Sequence, residues 1–125
     1  MISIFIPHLP PAALSPNARP AHWSVRSRAA KAYRDTCYLY ARNQAYGTHF
    51  ERAVATVQVE VTDPTRRRDC DNYLARLKPL FDALVDAGII PDDSAAHLTV
   101  RWAEPPFVAC PPRSEGVGVV LEEAP

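Results

Sequence analysis

The chain has 125 residues, 47% of them hydrophobic, and its 14 basic side chains balance its 14 acidic ones. This length and composition predict one domain with a core large enough to fold without disulfides or a structural metal. No stretch approaches the roughly 20 apolar residues of a membrane helix, and three scattered cysteines argue against a disulfide framework or a paired-cysteine zinc site. We therefore expect a soluble cytoplasmic protein with no membrane contact.

The N-terminal part of the chain predicts a strand, an irregular stretch and a long helix. Ile2 to Ile6 is apolar and β-branched, which is typical of a strand, and prolines follow it. Residues 16–23 carry turn-forming side chains without periodicity. A helical pattern then runs from about Ser27 to Tyr46, with Ser27 as the predicted N-cap and Gly47 as the predicted stop.

One arc of this helix is apolar and the opposite arc is basic. The basic arc consists of Arg28, Lys31, Arg34, Tyr38 and Arg42. A face of this kind is typical either of a charged surface in water or of a surface that contacts phosphates. The residues alone leave both interpretations open.

The central part of the chain predicts a half-buried strand followed by a second helix. Val54 to Thr62 alternates apolar and polar residues, so its valines are expected to point inward. Apolar residues recur at three- and four-residue steps from Tyr73 to Ala87, and Gly88 is a natural stop. Pro79 interrupts that pattern, which predicts a kink or two short helices.

Two more strands are predicted near the C-terminus, at Leu98 to Trp102 and at Val117 to Leu121. Four prolines lie between them, so residues 104–114 are expected to form a rigid extended loop. The chain as a whole, residues 1–125, is predicted to be a single α+β domain with a mixed sheet of about four strands and two main helices.

Charge is distributed unevenly along the chain. Residues 1–68 contain ten basic and four acidic side chains, whereas residues 69–125 contain four basic and ten acidic ones. Basic residues gathered on one surface can neutralise phosphates even when the total charge is zero, so the asymmetry favours contact with nucleic acid. Attraction between the two halves of one surface is the alternative.

Two acidic pairs are candidates for holding a metal ion. On an extended backbone Asp69 and Asp71 project to the same side, with their roots about 7 Å apart. Their oxygens suit a hard cation such as Mg²⁺, with Mn²⁺ as a substitute. Asp92 and Asp93 follow across one helix, so three or four carboxylates are expected to converge. The alternative is capping, by Asp71 of the following helix and by Asp92 or Asp93 of a turn that starts at Ser94.

Basic side chains accompany these carboxylates. Arg66 to Arg68 directly precede the first pair, which suits a site where phosphates are drawn beside a metal, although a strand end in solvent has the same composition. In an unbroken helix Lys78 lies on nearly the same face as Asp71, two turns further on. It can contact a phosphate as a point charge or pair with Asp82 four residues later.

A resemblance to a known family rests on three runs of residues between positions 68 and 93. They are Arg68-Asp69-Cys70-Asp71-Asn72, Lys78-Pro79-Leu80-Phe81-Asp82-Ala83-Leu84 and Gly88-Ile89-Ile90-Pro91-Asp92-Asp93. In order and spacing these runs resemble the RusA family of Holliday-junction resolvases, whose pattern is DxDN, a lysine, DAL, a glycine and a closing DD. Ser15-Pro16-Asn17 and the basic helix are also similar to the N-terminal half of that family.

The resemblance implies a small homodimeric, Mg²⁺-dependent endonuclease that nicks opposing strands of four-way DNA junctions symmetrically. It implies three catalytic metal-binding carboxylates, which are Asp69, Asp71 and Asp93. Asp92 would be a lesser acidic neighbour at the metal, Lys78 the catalytic lysine and Asn72 an orienting residue. The side chains expected to hold the DNA, mostly through phosphates, are Arg66, Arg67, Arg68, Arg28, Lys31, Arg34 and Asn17.

The position of the lysine departs from the family pattern. In the short form of the pattern the lysine lies four residues after the second aspartate, whereas Lys78 lies seven residues after Asp71. Three extra residues move it about 4.5 Å along a helix axis while keeping nearly the same face. Arg76 is the alternative candidate for its role.

Two other functions agree with the same residues. One is a related metal nuclease that cuts flaps or other branched DNA, and the other is a catalytically silent module that binds branched DNA. The sequence alone leaves these alternatives open.

Overall fold

A computed structural model of the chain describes residues 1–18 and 22–125. The elements in chain order are β1 (Ile2–Ile6), a 3₁₀ helix (Ala12–Leu14), α1 (Trp23–Gln44), β2 (Ala53–Val61), α2 (Cys70–Arg76), α3 (Lys78–Asp86), β3 (Leu98–Ala109) and β4 (Gly116–Glu123). The strands form one mixed sheet with the order β1-β4-β2-β3.

Strand β2 is at the centre of the sheet. It pairs with β4 in antiparallel orientation and with β3 in parallel orientation, and β4 pairs on its other side with β1. Every second residue of β2, from Ala53 to Val61, is buried, which confirms the predicted alternation. Because β2 and β3 run parallel, the chain between them must cross over one face of the sheet, and α2 and α3 form this crossover.

The core lies between one face of the sheet and the helices. Buried residues of all four strands pack in one cluster with Tyr33, Cys37 and Ala41 of α1 and with Leu80 and Leu84 of α3. Burial raises the pKa of the Cys37 thiol to about 12. The predicted α+β domain with a mixed four-stranded sheet is confirmed. Within the described residues, no helix has the length and apolar character needed to cross a membrane.

Helix α1 begins four residues earlier than predicted. Its N-cap is His22, whose Nδ1 accepts a hydrogen bond from the backbone N–H of Ser24 at 3.2 Å, and Ser27 is therefore inside the helix. The helix ends at Gln44, and Gly47 follows with a φ of +78° that favours glycine. Part of the irregular stretch predicted for residues 16–23 lies outside the described residues, which omit 19–21.

The predicted interruption at Pro79 divides the second helix into two short ones. Helix α2 ends at Arg76 and α3 begins at Lys78, with Leu77 fully buried between them. Proline is tolerated in the first turn of a helix because its missing N–H would have no intrahelical partner there. Gly88 follows α3 with a φ of +75°, which agrees with the predicted stop.

Strand β3 is longer than predicted, because it runs through Pro105 and Pro106 to Ala109. The prediction of a loop over residues 104–114 is therefore wrong for its first half. Strand β3 is at the edge of the sheet, and its pairing with β2 shifts from Val57↔Trp102 to Val59↔Phe107. An edge strand with an irregularity tolerates proline, since the prolines need not donate a ladder hydrogen bond.

Replacement of Leu84 by alanine tests the packing of α3 against the sheet. Leu84 is 1% exposed, so Leu84→Ala should lower the free energy of unfolding by about 2–5 kcal/mol. Leu39→Ala is the matched control, because Leu39 is 67% exposed on α1 and its truncation should change stability by less than about 0.5 kcal/mol. Equal losses for the two variants in urea unfolding would contradict this packing.

Candidate functional site

Asp69 caps helix α2. Its Oδ1 accepts hydrogen bonds from the backbone N–H groups of Asp71 at 2.9 Å and Asn72 at 3.2 Å. Asp71 lies in the first turn of α2, so the expectation that both carboxylates project from an extended backbone is wrong. Helix α2 begins at Cys70, three residues before the predicted Tyr73, because the Asp69 carboxylate can accept hydrogen bonds from the free N–H groups of the first turn. The capping residue is thus Asp69 and not Asp71.

Lys78 contacts two carboxylates. Its Nζ donates to Asp82 Oδ1 at 2.6 Å and also to Asp93 Oδ2. These hydrogen bonds, first the one to Asp82 and then the one to Asp93, raise the pKa of the Lys78 ammonium above its usual value. The predicted i,i+4 pair with Asp82 is therefore present, and Lys78 additionally links α3 to the turn that follows it. The Lys78 side chain is 60% exposed, so a ligand can reach it.

The ion pairs extend from α3 to α1. Asp82 Oδ2 lies 3.8 Å from Arg34 Nη1, and Arg34 donates from Nε and Nη2 to the two oxygens of Asp86 at 2.6 and 2.7 Å. The sequence interpretation did not include Asp82 and Asp86 as partners of Arg34. The four-residue spacing of Lys78, Asp82 and Asp86 in the sequence places these charged residues on one face of α3. That spacing could have indicated a pairing with the basic arc of α1.

Asp92 stabilises its own turn. Hydrogen bonds from the Ser94 hydroxyl and from the backbone N–H groups of Asp93 and Ser94 lower the pKa of the Asp92 carboxyl. This arrangement agrees with the capping alternative for the closing acidic pair. Of the two acids, Asp93 is the one that contacts Lys78, and it is half-buried whereas Asp92 is exposed.

The three arginines before Asp69 differ in their surroundings. Arg66 and Arg67 are exposed and have no ion-pair partner among the described residues. Arg68 is half-buried, donates to the carbonyls of Asp63 and Arg66 at 2.9 and 3.0 Å, and lies 5.2 Å above the Phe107 ring. Arg68 therefore organises the loop, and Arg66 and Arg67 are the arginines that remain accessible.

The remaining residues predicted to hold DNA are exposed. Arg28 has no ion-pair partner in the part of the chain that the structure describes, whereas Lys31 pairs with Asp35 at 2.8 Å. Asn17 is exposed in the turn that follows the 3₁₀ helix. The basic arc of α1 is thus partly neutralised within the chain.

Two other residues named from the sequence have structural roles. Asn72 is half-buried in the first turn of α2, where its backbone N–H contacts Asp69. Arg76 donates from Nη2 to the Pro10 carbonyl at 2.5 Å, and its guanidinium lies 4.6 Å above the Tyr73 ring. Arg76 therefore fastens α2 to the segment after β1, which makes it a poor substitute for Lys78.

The donor atoms of the candidate metal site are suitable in type but not gathered in one place. Carboxylate oxygens suit Mg²⁺, and Asp71 has no side-chain hydrogen bond to any residue that the structure describes. Across residues 1–18 and 22–125, however, no three His, Cys, Asp or Glu side chains lie close enough together to hold a metal ion. The convergence of Asp69, Asp71 and Asp93, with Asp92 beside them, stays a prediction.

Comparisons with known proteins do not add a family to this site. No protein-family model matches the chain, and a search of curated proteins finds no significant match. The resemblance to the RusA family therefore rests on the sequence motifs alone, chiefly those between positions 68 and 93.

Two replacements of Asp69 separate its capping role from its charge. Asp69→Ala should lower the free energy of unfolding by about 0.5–2 kcal/mol, because the N–H groups of Asp71 and Asn72 lose their acceptor. Asp69→Asn should be less destabilising, since asparagine is an equally good cap. Urea unfolding measures both, and equal losses for Ala and Asn would show that charge rather than capping is responsible.

The ion pair between Arg34 and Asp86 should make the stability of the fold depend on pH. Hydrogen bonds from Arg34 lower the pKa of the Asp86 carboxyl. The ionised Asp86 carboxylate therefore stabilises the folded state fully at a pH above the ordinary aspartate pKa. This contribution is lost as the pH falls through the lowered pKa of Asp86. In an NMR titration, Arg34→Gln should raise the pKa of Asp86 towards its ordinary value. Lys31→Gln is the control, because Lys31 pairs with Asp35, and an equal shift in both variants would contradict the assignment.

Proposed function

We propose that the protein is a Mg²⁺-dependent, structure-specific DNA endonuclease that resolves four-way junctions by paired nicks during recombination or repair in the cytoplasm. Its partners would be branched DNA and a second copy of the chain. The family resemblance supplies the reaction, and the arrangement of charged side chains around Lys78 supports it.

The contact between Lys78 and Asp93 carries the proposal. These residues are 15 positions apart and belong to two separate runs of the motif, and the fold brings their side chains into hydrogen-bond contact. An exposed ammonium held by two carboxylates is oriented in advance and remains available to an incoming phosphate. This contact is expected in a site where a lysine and an acid act on the same phosphodiester.

The residues have distinct roles in the proposed reaction. Asp69, Asp71 and Asp93 would hold the metal ion, and bound Mg²⁺ supplies Lewis-acid polarisation of the phosphate and a more acidic water. Lys78 would stabilise the negative charge that develops on the phosphate oxygens, as a preorganised point charge. The cap formed by Asp69 fixes the first turn of α2, so Asp71 is presented on a rigid element.

Accessible basic residues would hold the DNA backbone. Arg66, Arg67 and Arg28 are exposed, and none has an ion-pair partner among residues 1–18 and 22–125. Arginines of this kind bind phosphates without reading bases, so the affinity should fall steeply with salt. Arg34 is less available, since Asp86 binds its Nε and Nη2 donors and Asp82 lies 3.8 Å from its Nη1.

The homodimer follows from the symmetry of the substrate. A four-way junction that is cut on two opposing strands has two equivalent scissile positions. Two identical sites related by a two-fold axis match them, and a two-fold dimer is the commonest assembly of soluble proteins.

A module that binds branched DNA without cutting it is the second candidate. The observation that favours it is that two of the acids already have structural partners, since Asp69 caps α2 and Asp93 pairs with Lys78. In such a module the ion pairs of Lys78 would serve only to connect α3 to the following turn. A related nuclease that acts on flaps or on other branched DNA is distinguished by its substrate alone.

Cleavage of synthetic DNA tests the proposal. Purified protein should produce paired nicks on opposing strands of a labelled four-way junction with Mg²⁺ and none without it, and should cut three-way junctions, flaps and linear duplex less. Asp71→Asn should reduce cleavage by about a hundredfold or more while junction binding persists, because Lewis-acid catalysis contributes several kcal/mol. Lys78→Gln should also reduce cleavage more than binding.

Glu123→Gln is the matched control, because it removes one negative charge from an exposed side chain at the end of β4. It should leave cleavage unchanged. Preferred cutting of flaps would indicate the related nuclease. Junction binding without Mg²⁺-dependent nicks, together with a melting temperature that Mg²⁺ does not raise, would contradict the nuclease and favour the silent module.

A further inference from the structure

Trp23 is an exposed tryptophan next to the candidate site. It is the first residue of α1 and is 74% exposed, although tryptophan is highly buried on average. Single exposed apolar residues are common on protein surfaces, so the exposure alone decides nothing. The surroundings of Trp23 carry the argument.

Trp23 lines a groove that ends at Lys78. The groove has a volume of about 400 Å³ and lies between the start of α1 and the junction of α2 and α3, where Arg26, Ala75, Lys78 and Pro79 also line it. A second groove of about 420 Å³ continues along α1 and shares Ser27, Ala30, Pro79 and Asp82 with the first. Both volumes are typical of sites that hold small organic groups.

The walls of the groove are fixed by local contacts. Arg26 donates to the Leu14 carbonyl at 3.1 Å, which connects α1 to the 3₁₀ helix. The Trp23 and His22 rings have centroids 5.5 Å apart, and His22 is itself fixed as the cap of α1. A rigid aromatic ring at the edge of a groove loses little conformational entropy when a flat group stacks on it.

The lining of the two grooves carries four basic and two acidic side chains, which are Arg26, Lys31, Arg34 and Lys78, and Asp35 and Asp82. Lys31 is held by Asp35 and Arg34 by Asp86. Arg26, which has no ion pair among the described residues, and the 60% exposed Lys78 are therefore the donors that an anion can reach. A ligand that matches this surface has a flat apolar face for the indole ring and a negative charge beside it. An unpaired nucleobase with its phosphate has both properties, and aromatic side chains beside basic grooves bind single-stranded nucleic acid in this manner.

We propose that Trp23 is a stacking platform for an unpaired base of branched DNA, with the phosphate of that nucleotide directed towards the basic side of the groove. This inference rests on the DNA binding proposed above and adds the specificity for branched over continuous duplex. Bases in a continuous duplex are stacked on each other and cannot cover the indole ring, whereas bases at a crossover can.

Two junctions test the stacking. One carries unpaired thymines at the crossover, and the other carries abasic residues at the same positions, which keeps every phosphate. The wild type should bind the thymine junction about tenfold more tightly, because stacking of one base contributes about this much. Trp23→Ala should bind both junctions equally and about as weakly as the wild type binds the abasic one. Trp23→Phe should retain most of the preference.

Tryptophan fluorescence gives a second measurement, which reports on the Trp23 ring directly and does not require a variant that binds more weakly. The chain has two tryptophans, and the other one, Trp102, is half-buried between Tyr73 and Phe107. The difference between the spectra of the wild type and Trp23→Phe is therefore the emission of Trp23. The thymine junction should quench it, and the abasic junction should quench it much less.

Tyr46→Ala is the control for loss of an exposed aromatic side chain, because Tyr46 is 80% exposed beyond the other end of α1, outside both grooves. It should not change the preference for thymine.

Junction binding that does not distinguish thymine from abasic residues, with Trp23 unquenched, overturns the stacking site and leaves the DNA-binding proposal intact. Absence of any junction binding overturns both. Emission of Trp23 that shifts to shorter wavelength with protein concentration alone would mean that a second copy covers it, which also overturns the inference.

Discussion

The parallel pairing of β2 and β3 is the constraint on which the rest of the molecule depends. Strand β2 has its inward side chains fully buried and pairs on both sides, so it cannot be displaced without opening the core. A parallel neighbour requires a crossover, and the crossover contains Asp69, Asp71, Lys78 and Asp93. The candidate site thus lies on the crossover that leaves the central strand of the sheet.

The break between α2 and α3 determines the surroundings of Lys78. In a continuous helix Lys78 would follow the face that carries Asp71, but Pro79 starts a new helix and Lys78 becomes its first residue. From that position its ammonium contacts Asp82 and Asp93. Because α2 ends at Arg76, α3 can take its own orientation. In that orientation its charged residues Asp82 and Asp86 face Arg34 of α1.

The distribution of charge agrees with the proposed binding of DNA more closely than the zero net charge suggests. Part of the basic arc of α1 is neutralised by acids of the chain itself, as the pair between Arg34 and Asp86 illustrates. Several basic side chains without such partners in the described part of the chain, among them Arg28 and Arg66, are exposed. Screening of these few accessible charges would make binding sensitive to salt, while the grooves beside Trp23 would respond to unpaired bases.

The sequence by itself determined the elements whose signals are local. Strand β1, the alternation of β2 and the interruption at Pro79 were all predictable, because side-chain periodicity and the missing N–H of proline act over a few residues. Only the tertiary structure decided that β3 continues through Pro105, since that depends on its place at the sheet edge, and that Lys78 contacts Asp93 as well as Asp82. These contacts join residues distant in sequence, and chain periodicity carries no information about which distant side chains meet.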